Sequence, residues 1–280
     1  MIKHFLNSDK SIAAPVFATV FASILLSSVQ ANAGEHHVQG GVSDNSWSGA
    51  YVGFDAGAGF TADAVSKITS SISPGFVTQL GTGATATMPY FSMSGLAGLH
   101  AGFNLQQDQI VYGFETDVQR LFKDANSGNA KTSVAHPVSG LINTTMSGVA
   151  YADWLATFRG RLGYVIQPDV VLYGTGGLAL GYVKTSGTVF QDLTSFPATA
   201  PGIANMTSYG PKLGWTVGIG GEYKIKPNWS AKLEYLYYDL GTTSASSQLN
   251  YAKVSTTVGT STVTQRVTGH MVRFGLSYHF

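Results

Sequence analysis

Cysteine is absent from the 280 residues, which excludes disulfide frameworks, thiolate metal sites and cysteine nucleophiles. Charge is also scarce. Asp, Glu, Lys and Arg make up 11% of the chain, less than half the roughly 25% of an average soluble domain. Lys and Arg are scattered and the formal net charge is +1, so there is no electrostatic footprint for nucleic acid. Beyond the first thirty residues no run of about 20 apolar residues occurs, and no membrane-spanning helix is expected there. A chain this poor in charge has either a large soluble core or an outer surface that meets lipid. Strand alternation hides the second case from hydropathy averages, here a mean of +0.10.

The chain is rich in glycine, with 34 residues, and in aromatics, at 12%. At the N-terminus Lys3, His4 and Lys10 precede an apolar stretch from Ile12 to Leu26, followed by Ala31-Asn32-Ala33. This order predicts a signal peptide over 1–33, cleaved near Ala33/Gly34. A polar lead-in is expected over 34–46, and one barrel domain over 47–280.

From Trp47 onward, segments of strand length alternate with gaps that are in turn very short and very long. Eight segments show period-two alternation. Val52, Phe54, Ala56, Ala58 and Phe60 oppose Tyr51, Gly53, Asp55, Gly57 and Gly59 in the first. Val272, Phe274, Leu276, Tyr278 and Phe280 oppose Arg273, Gly275, Ser277 and His279 in the last. Tight turns are predicted at Gln106 to Gln109, Gln167-Pro168-Asp169 and Lys226-Pro227-Asn228, where proline and aspartate favour turning. Long connections are expected near 61–93, 122–148, 184–211 and 241–265. The fold class is therefore all-β, an eight-stranded antiparallel up-and-down transmembrane barrel. Its tight turns should face the periplasm and its four long loops the outside.

A soluble barrel would exchange the two faces, so their contents decide. The polar face carries abundant glycine, as the crowded interior of eight strands requires. It also carries acids and bases in balance: Asp55, Glu115, Asp117, Glu222 and Glu234 against Arg159, Arg161, Lys224, Lys232 and Arg273. Buried charges persist when paired and hydrogen-bonded, which predicts a lumen charge network of these ten, with His100 and His279 as satisfied lumen histidines. On the apolar face, aromatics gather near the segment ends, as at a bilayer interface.

The stretches Trp47-Ser-Gly-Ala-Tyr51-Val-Gly53, Phe158-Arg-Gly-Arg-Leu-Gly-Tyr164, Leu172-Tyr-Gly-Thr-Gly-Gly-Leu178 and Val272-Arg-Phe-Gly-Leu-Ser-Tyr-His-Phe280 resemble the small outer-membrane β-barrel family of porin-like surface antigens. The resemblance is to the branch with immunogenic outer-membrane and haemin-binding members. It implies eight strands, an outer-membrane location and surface exposure. The expected partners are outer-membrane lipid and lipopolysaccharide, and the assembly machinery, which would read the C-terminal aromatics Tyr278 and Phe280. The host or environmental ligand is left open. Haemin is the one cofactor the resemblance raises, with His136, Tyr209, Tyr251 and His270 as candidate ligands.

Other chemistry is not expected. Gly174-Thr-Gly176-Gly-Leu-Ala179 and Gly57-Ala-Gly59-Phe-Thr-Ala62 superficially fit a dinucleotide pattern, but neither opens a helix in a βαβ unit. Glu35-His36-His37 is not preorganised for metal. Ser277 and His279 share the polar face but lack an evident acyl-transfer geometry, so no enzyme is expected. The reading is a structural and surface-interaction barrel. Surface haemin binding is the alternative, and a diffusion pore is disfavoured by lumen size.

Overall fold

The computed structural model describes residues 46–72, 84–123, 128–136, 140–193, 202–251 and 259–280. The expected signal peptide, the lead-in up to residue 45 and the Glu35-His36-His37 cluster lie outside them. The described residues form nine strands: β1 Gly49–Ile72, β2 Ala84–Gln107, β3 Ile110–Lys123, β4 Gly128–His136, β5 Gly140–Gln167, β6 Val170–Leu193, β7 Gly202–Lys226, β8 Trp229–Tyr251 and β9 Gly259–His279. Eight form a closed antiparallel ring, β3-β2-β1-β9-β8-β7-β6-β5, completed by β3 pairing with β5. The ninth, β4, continues along the edge of β5 over Gly140–Gly148, beyond the stretch that β3 occupies.

Three tight turns fall where expected, at Asp108-Gln109, Pro168-Asp169 and Pro227-Asn228. Asp108 adopts φ of 53°, a left-handed conformation that Asp tolerates through local hydrogen bonding. Near the chain end, the Phe280 amide donates to the Ala50 carbonyl.

The expected long connections are largely built of strand. β1 continues to Ile72 and β2 begins at Ala84, while β6 reaches Leu193 and β7 starts at Gly202. A tilted strand crosses a bilayer in about 9–11 residues, so strands of 23 to 25 residues carry the wall far past the membrane on the loop side. In β9, Thr260, Thr262 and Thr264 point outward and Ser261, Val263 and Gln265 inward. The period-two rule therefore persists there in polar residues with good strand propensity.

Each strand keeps the predicted facing through the apolar band. Tyr112, Tyr164, Tyr223, Trp229 and Phe280 are exposed at the turn end, and Trp215 at the loop end. Between them Leu99, Phe158, Leu172, Ile219, Leu233 and Phe274 are exposed as well, the surface that lipid would cover.

Inside the barrel, large side chains lie over glycines directly across the ladder. Tyr51 pairs with Gly102, Tyr173 with Gly220 and Tyr238 with Gly269. A Cβ added at any of the three would stand 2.4 to 2.6 Å from the tyrosine hydroxyl. Glycine is thus the cross-strand partner that lets a ring lie flat against the wall of a narrow barrel.

Candidate functional site in the barrel lumen

Adjacent strands deliver the charged side chains from alternate positions into one layer at the turn-end half of the lumen. Arg159 on β5 donates to Glu115 at 2.5 Å, Asp117 at 2.8 Å and Glu234 at 2.8 Å. Arg273 on β9 reaches Glu234 at 2.5 Å, Glu115 and Asp117 at 3.2 Å and Asp55 at 3.4 Å. Lys232 on β8 lies 2.9 Å from Glu115 and 3.7 Å from Asp55. Arg161 reaches Glu222 at 2.5 Å. All these side chains are buried, so each charge depends on its neighbours rather than on water.

Nine of the ten predicted members therefore meet. Lys224 does not join them. It sits nearer the turn end, where its Nζ donates to the Ser46 carbonyl at 2.7 Å and stands 4.8 Å from the Trp47 ring centroid. No carboxylate lies within ion-pair distance of it among the described residues. Parity placed Lys224 on the correct face, but parity carries no information about depth along the barrel.

Several neutral groups complete the layer. Tyr51 donates to Glu115 at 3.0 Å, Thr157 to Asp117 at 2.6 Å and Ser230 to Glu222 at 2.5 Å. The Arg161 guanidinium stacks on the Tyr173 ring at 3.7 Å, a cation–π contact. At the turn end, Trp47 is buried against His279, with centroids 6.0 Å apart, and its amide donates to Gln106 Oε1.

Ser277 has a different partner from the one its sequence neighbourhood suggests. Its Oγ lies 2.9 Å from His100 Nε2, and His100 Nδ1 lies 3.0 Å from Asp55 Oδ2. His279 instead contacts Ser230 and Glu222. The Asp55–His100–Ser277 chain has the connectivity of a hydrolase relay. Yet Ser277 is fully buried, and Asp55 is also engaged by Arg273 and Lys232.

Above the charge layer the lumen is apolar. Leu96, Leu121, Leu155, Val183, Leu236, Leu240, Val267 and Met271 form one buried cluster with Tyr238. Beyond it lie polar contacts such as Thr185 to Thr243 at 3.0 Å and Ser261 to Ser70 at 3.1 Å.

Of the proposed haemin ligands, the two whose side chains are described, Tyr209 and His270, are not gathered. His270, on β9 facing outward, stacks on Phe60 with centroids 5.1 Å apart, and its Nδ1 lies 2.6 Å from the Tyr235 hydroxyl. Tyr209, on β7, lies beside Lys184, 5.3 Å from its Nζ. β8 separates these two strands. His136 and Tyr251 end β4 and β8, and their side chains lie outside the described part. Tyr278 and Phe280 face outward and touch edge to face at 5.3 Å.

A closed antiparallel ring, apolar outside and charged within, defines a transmembrane β-barrel of the outer-membrane type. Residues 19–280 match the model of the outer membrane protein beta-barrel domain, and the chain belongs to that family. Its location is the outer membrane. A "31 kDa outer-membrane immunogenic protein" of Brucella melitensis is 34% identical over 237 residues, covering 84% of each chain. A "22 kDa outer membrane protein" of Rhizobium leguminosarum is 34% identical over 139 residues, 49% of each chain. Among solved structures, the outer membrane protein OprG of Pseudomonas aeruginosa aligns at 13% identity with a TM-score of 0.40, covering 83% of this chain and 97% of that one.

Proposed function

We propose that this protein is a non-catalytic structural barrel that presents an extended wall and its connecting loops at the cell surface. The observation that carries the reading is the division of the molecule along its axis. The turn-end half is sealed by an ion-pair layer under an apolar layer. The loop-end half is an exposed wall rich in Ser and Thr. The first half suits anchorage and the second suits contact. The name of the Brucella relative, an immunogenic outer-membrane protein, supports surface exposure and an antigen-like or adhesin-like role. Burial of Ser277 speaks against acyl transfer by its relay.

Epitope tags test this reading. A tag inserted between β1 and β2, within 73–83, should bind antibody on intact cells, whereas one at Asp108-Gln109 should bind only after permeabilisation. The reverse pattern would invert the orientation and remove the proposal. Haemin binding stands second, because the described candidates Tyr209 and His270 lie on strands separated by β8 and His270 is already held by Tyr235.

A further inference from the structure

The extended wall beyond the membrane is pinched. Gly148 on β5 and Gly187 on β6 pair across their ladder, and Ile68 on β1 and Val263 on β9 pair in the wall that faces them. A Cβ added at Gly148 would stand 3.2 Å from Ile68 Cδ1 and from Val263 Cγ2. One added at Gly187 would stand 3.2 Å from Val263 Cγ1 and 3.1 Å from Met206 Cε. The two walls thus meet over a pair of glycines, the residue that allows so close an approach. Ile68, Val263 and Met206 are buried there, so the extension is filled at this level and contact with a ligand falls to its outer surface.

The outside carries the imprint of the pinch. A closed ring is convex outward, yet over these glycines the wall of β5, β6 and β7 holds a depression of about 480 Å³, a volume typical of small-molecule sites. Ser147, Val149, Ser186, Thr188, Asn205 and Thr207 line its sides, and Thr188, Asn205 and Thr207 are exposed. In register they form two rows, Ser147–Thr188–Asn205 and Val149–Ser186–Thr207. These rows span roughly 10 Å across the strands and roughly 7 Å along them, the footprint of a short saccharide.

Rings and one cation stand at the ends. Toward the membrane the next row is Tyr151–Lys184–Tyr209, with Tyr209 55% exposed and Lys184 Nζ 5.3 Å from its ring centroid. Of the described carboxylates, Asp153 on the β5 bulge acts on Lys184 from beyond ion-pair distance, so the ammonium keeps an unmatched charge. Away from the membrane Phe190 pairs with Ile203, both exposed.

This setting discriminates between partners. A peptide added as a strand needs a free sheet edge, whereas the ladders of β5 with β6 and of β6 with β7 run unbroken through the depression. Acyl chains are excluded by place. Leu178 pairs with Trp215 of the outer girdle, and Thr188 lies ten residues farther on, roughly 33 Å along the strand. A larger depression, about 720 Å³ between Phe103 and Leu162, lies in the apolar band, where lipid fills it. Hydroxyl and amide groups from three strands, with a tyrosine face and an ammonium at one end, complement the hydroxyls, ring face and carboxylate of an acidic sugar. We propose that the β5–β6–β7 depression binds an acidic saccharide, with its hydroxyls on Ser186, Thr188, Asn205 and Thr207, its ring face on Tyr209 and its carboxylate at Lys184. The proposal rests on the surface-contact reading above and gives that contact a chemical class.

Binding is measured on the purified barrel in lipid nanodiscs, so the result does not depend on which end faces outward in cells. The probe is an array of short oligosaccharides, each uronate- or sialate-bearing member printed beside its neutral counterpart. The parent should retain acidic members about tenfold more strongly than their counterparts, and Lys184→Gln should remove that preference. Asn205→Ala with Thr207→Ala should lower binding by about tenfold, whereas Ser244→Ala with Ser246→Ala, on the outer wall of β8, should change nothing. The proposal is overturned if a parent of normal heat-modifiable mobility retains no acidic member, if the preference survives Lys184→Gln, or if the β7 pair and the β8 pair have equal effects. A second readout uses the absence of native cysteine and needs only single variants. The best-retained saccharide should slow maleimide labelling of Thr188→Cys several-fold and leave Ser246→Cys, exposed on β8, unchanged. Equal slowing at both positions, or none at Thr188→Cys, overturns it too.

Discussion

Arg273→Met removes the cation that touches the most carboxylates in the lumen. Arg273 lies within ion-pair distance of Asp55, Glu115, Asp117 and Glu234, and its side chain is 0% exposed. Methionine approximates the length of the stem without the charge. Removing one partner of a buried pair costs about 3–5 kcal/mol, because the remaining charge stays desolvated without compensation. Arg159 still reaches Glu115, Asp117 and Glu234, and Lys232 reaches Glu115 and Asp55, but four carboxylates are then left with two cations, so the loss should fall within that range. The assay is equilibrium unfolding of the refolded barrel in vesicles, followed by tryptophan fluorescence and by heat-modifiable mobility. Because buried pairs are screened little by salt, the deficit should persist at high ionic strength. Adding Glu234→Gln should recover part of it, with a coupling of about 0.5–3 kcal/mol. A single variant within about 0.5 kcal/mol of the parent, the scale of an ordinary surface substitution, would refute the idea that the layer is a mutually dependent network.

Three further outcomes are expected. Phe274→Arg, one residue away on the opposite face and 55% exposed to the lipid side, should cost about 2–4 kcal/mol near the midplane, read by the same unfolding assay; normal assembly and stability would contradict the facing of β9. Gly102→Ala drives a Cβ to 2.4 Å from the Tyr51 ring and 2.6 Å from the Phe114 carbonyl, and should lose about 1–3 kcal/mol as an overpacked site, with Tyr51→Ala in the same background relieving part of the loss. A fluorophosphonate probe should leave Ser277 unlabelled on the folded barrel, and stoichiometric labelling detected by mass spectrometry would show that the relay is reachable and reactive.

Much of the membrane-crossing half was legible in the sequence because two strong constraints act there together. Lipid outside and a crowded lumen inside enforce strict alternation, so the facings of Phe54, Phe158, Leu172 and Phe274, and of the acids and bases opposite them, follow from period two alone. Beyond the outer girdle the same alternation runs through Thr and Ser, whose composition resembles that of loops. Bulges at Thr61/Ala64, Ala152/Trp154 and Asp239/Thr242 also reverse the parity within β1, β5 and β8. Strand was therefore read as connection. Membership of the charge layer was readable, but its pairing was not. Glu115 and Arg273 are 158 residues apart, and His100 and Ser277 are 177 apart, and each such contact depends on register around the closed ring. Lys224 shows the same limit, since its face was correct and its depth was not. The break in the β7–β8 ladder between Ile203 and Trp215 had one local sign, Pro211, set within a stretch otherwise taken for a loop.

Planar-bilayer recording of the refolded parent tests the central claim most directly, that the lumen is closed by an ion-pair layer beneath an apolar one. The account predicts no stable conductance steps above the bare-bilayer baseline, since eight strands leave a lumen that side chains fill. Steady, well-resolved open channels from monomeric barrels would contradict it.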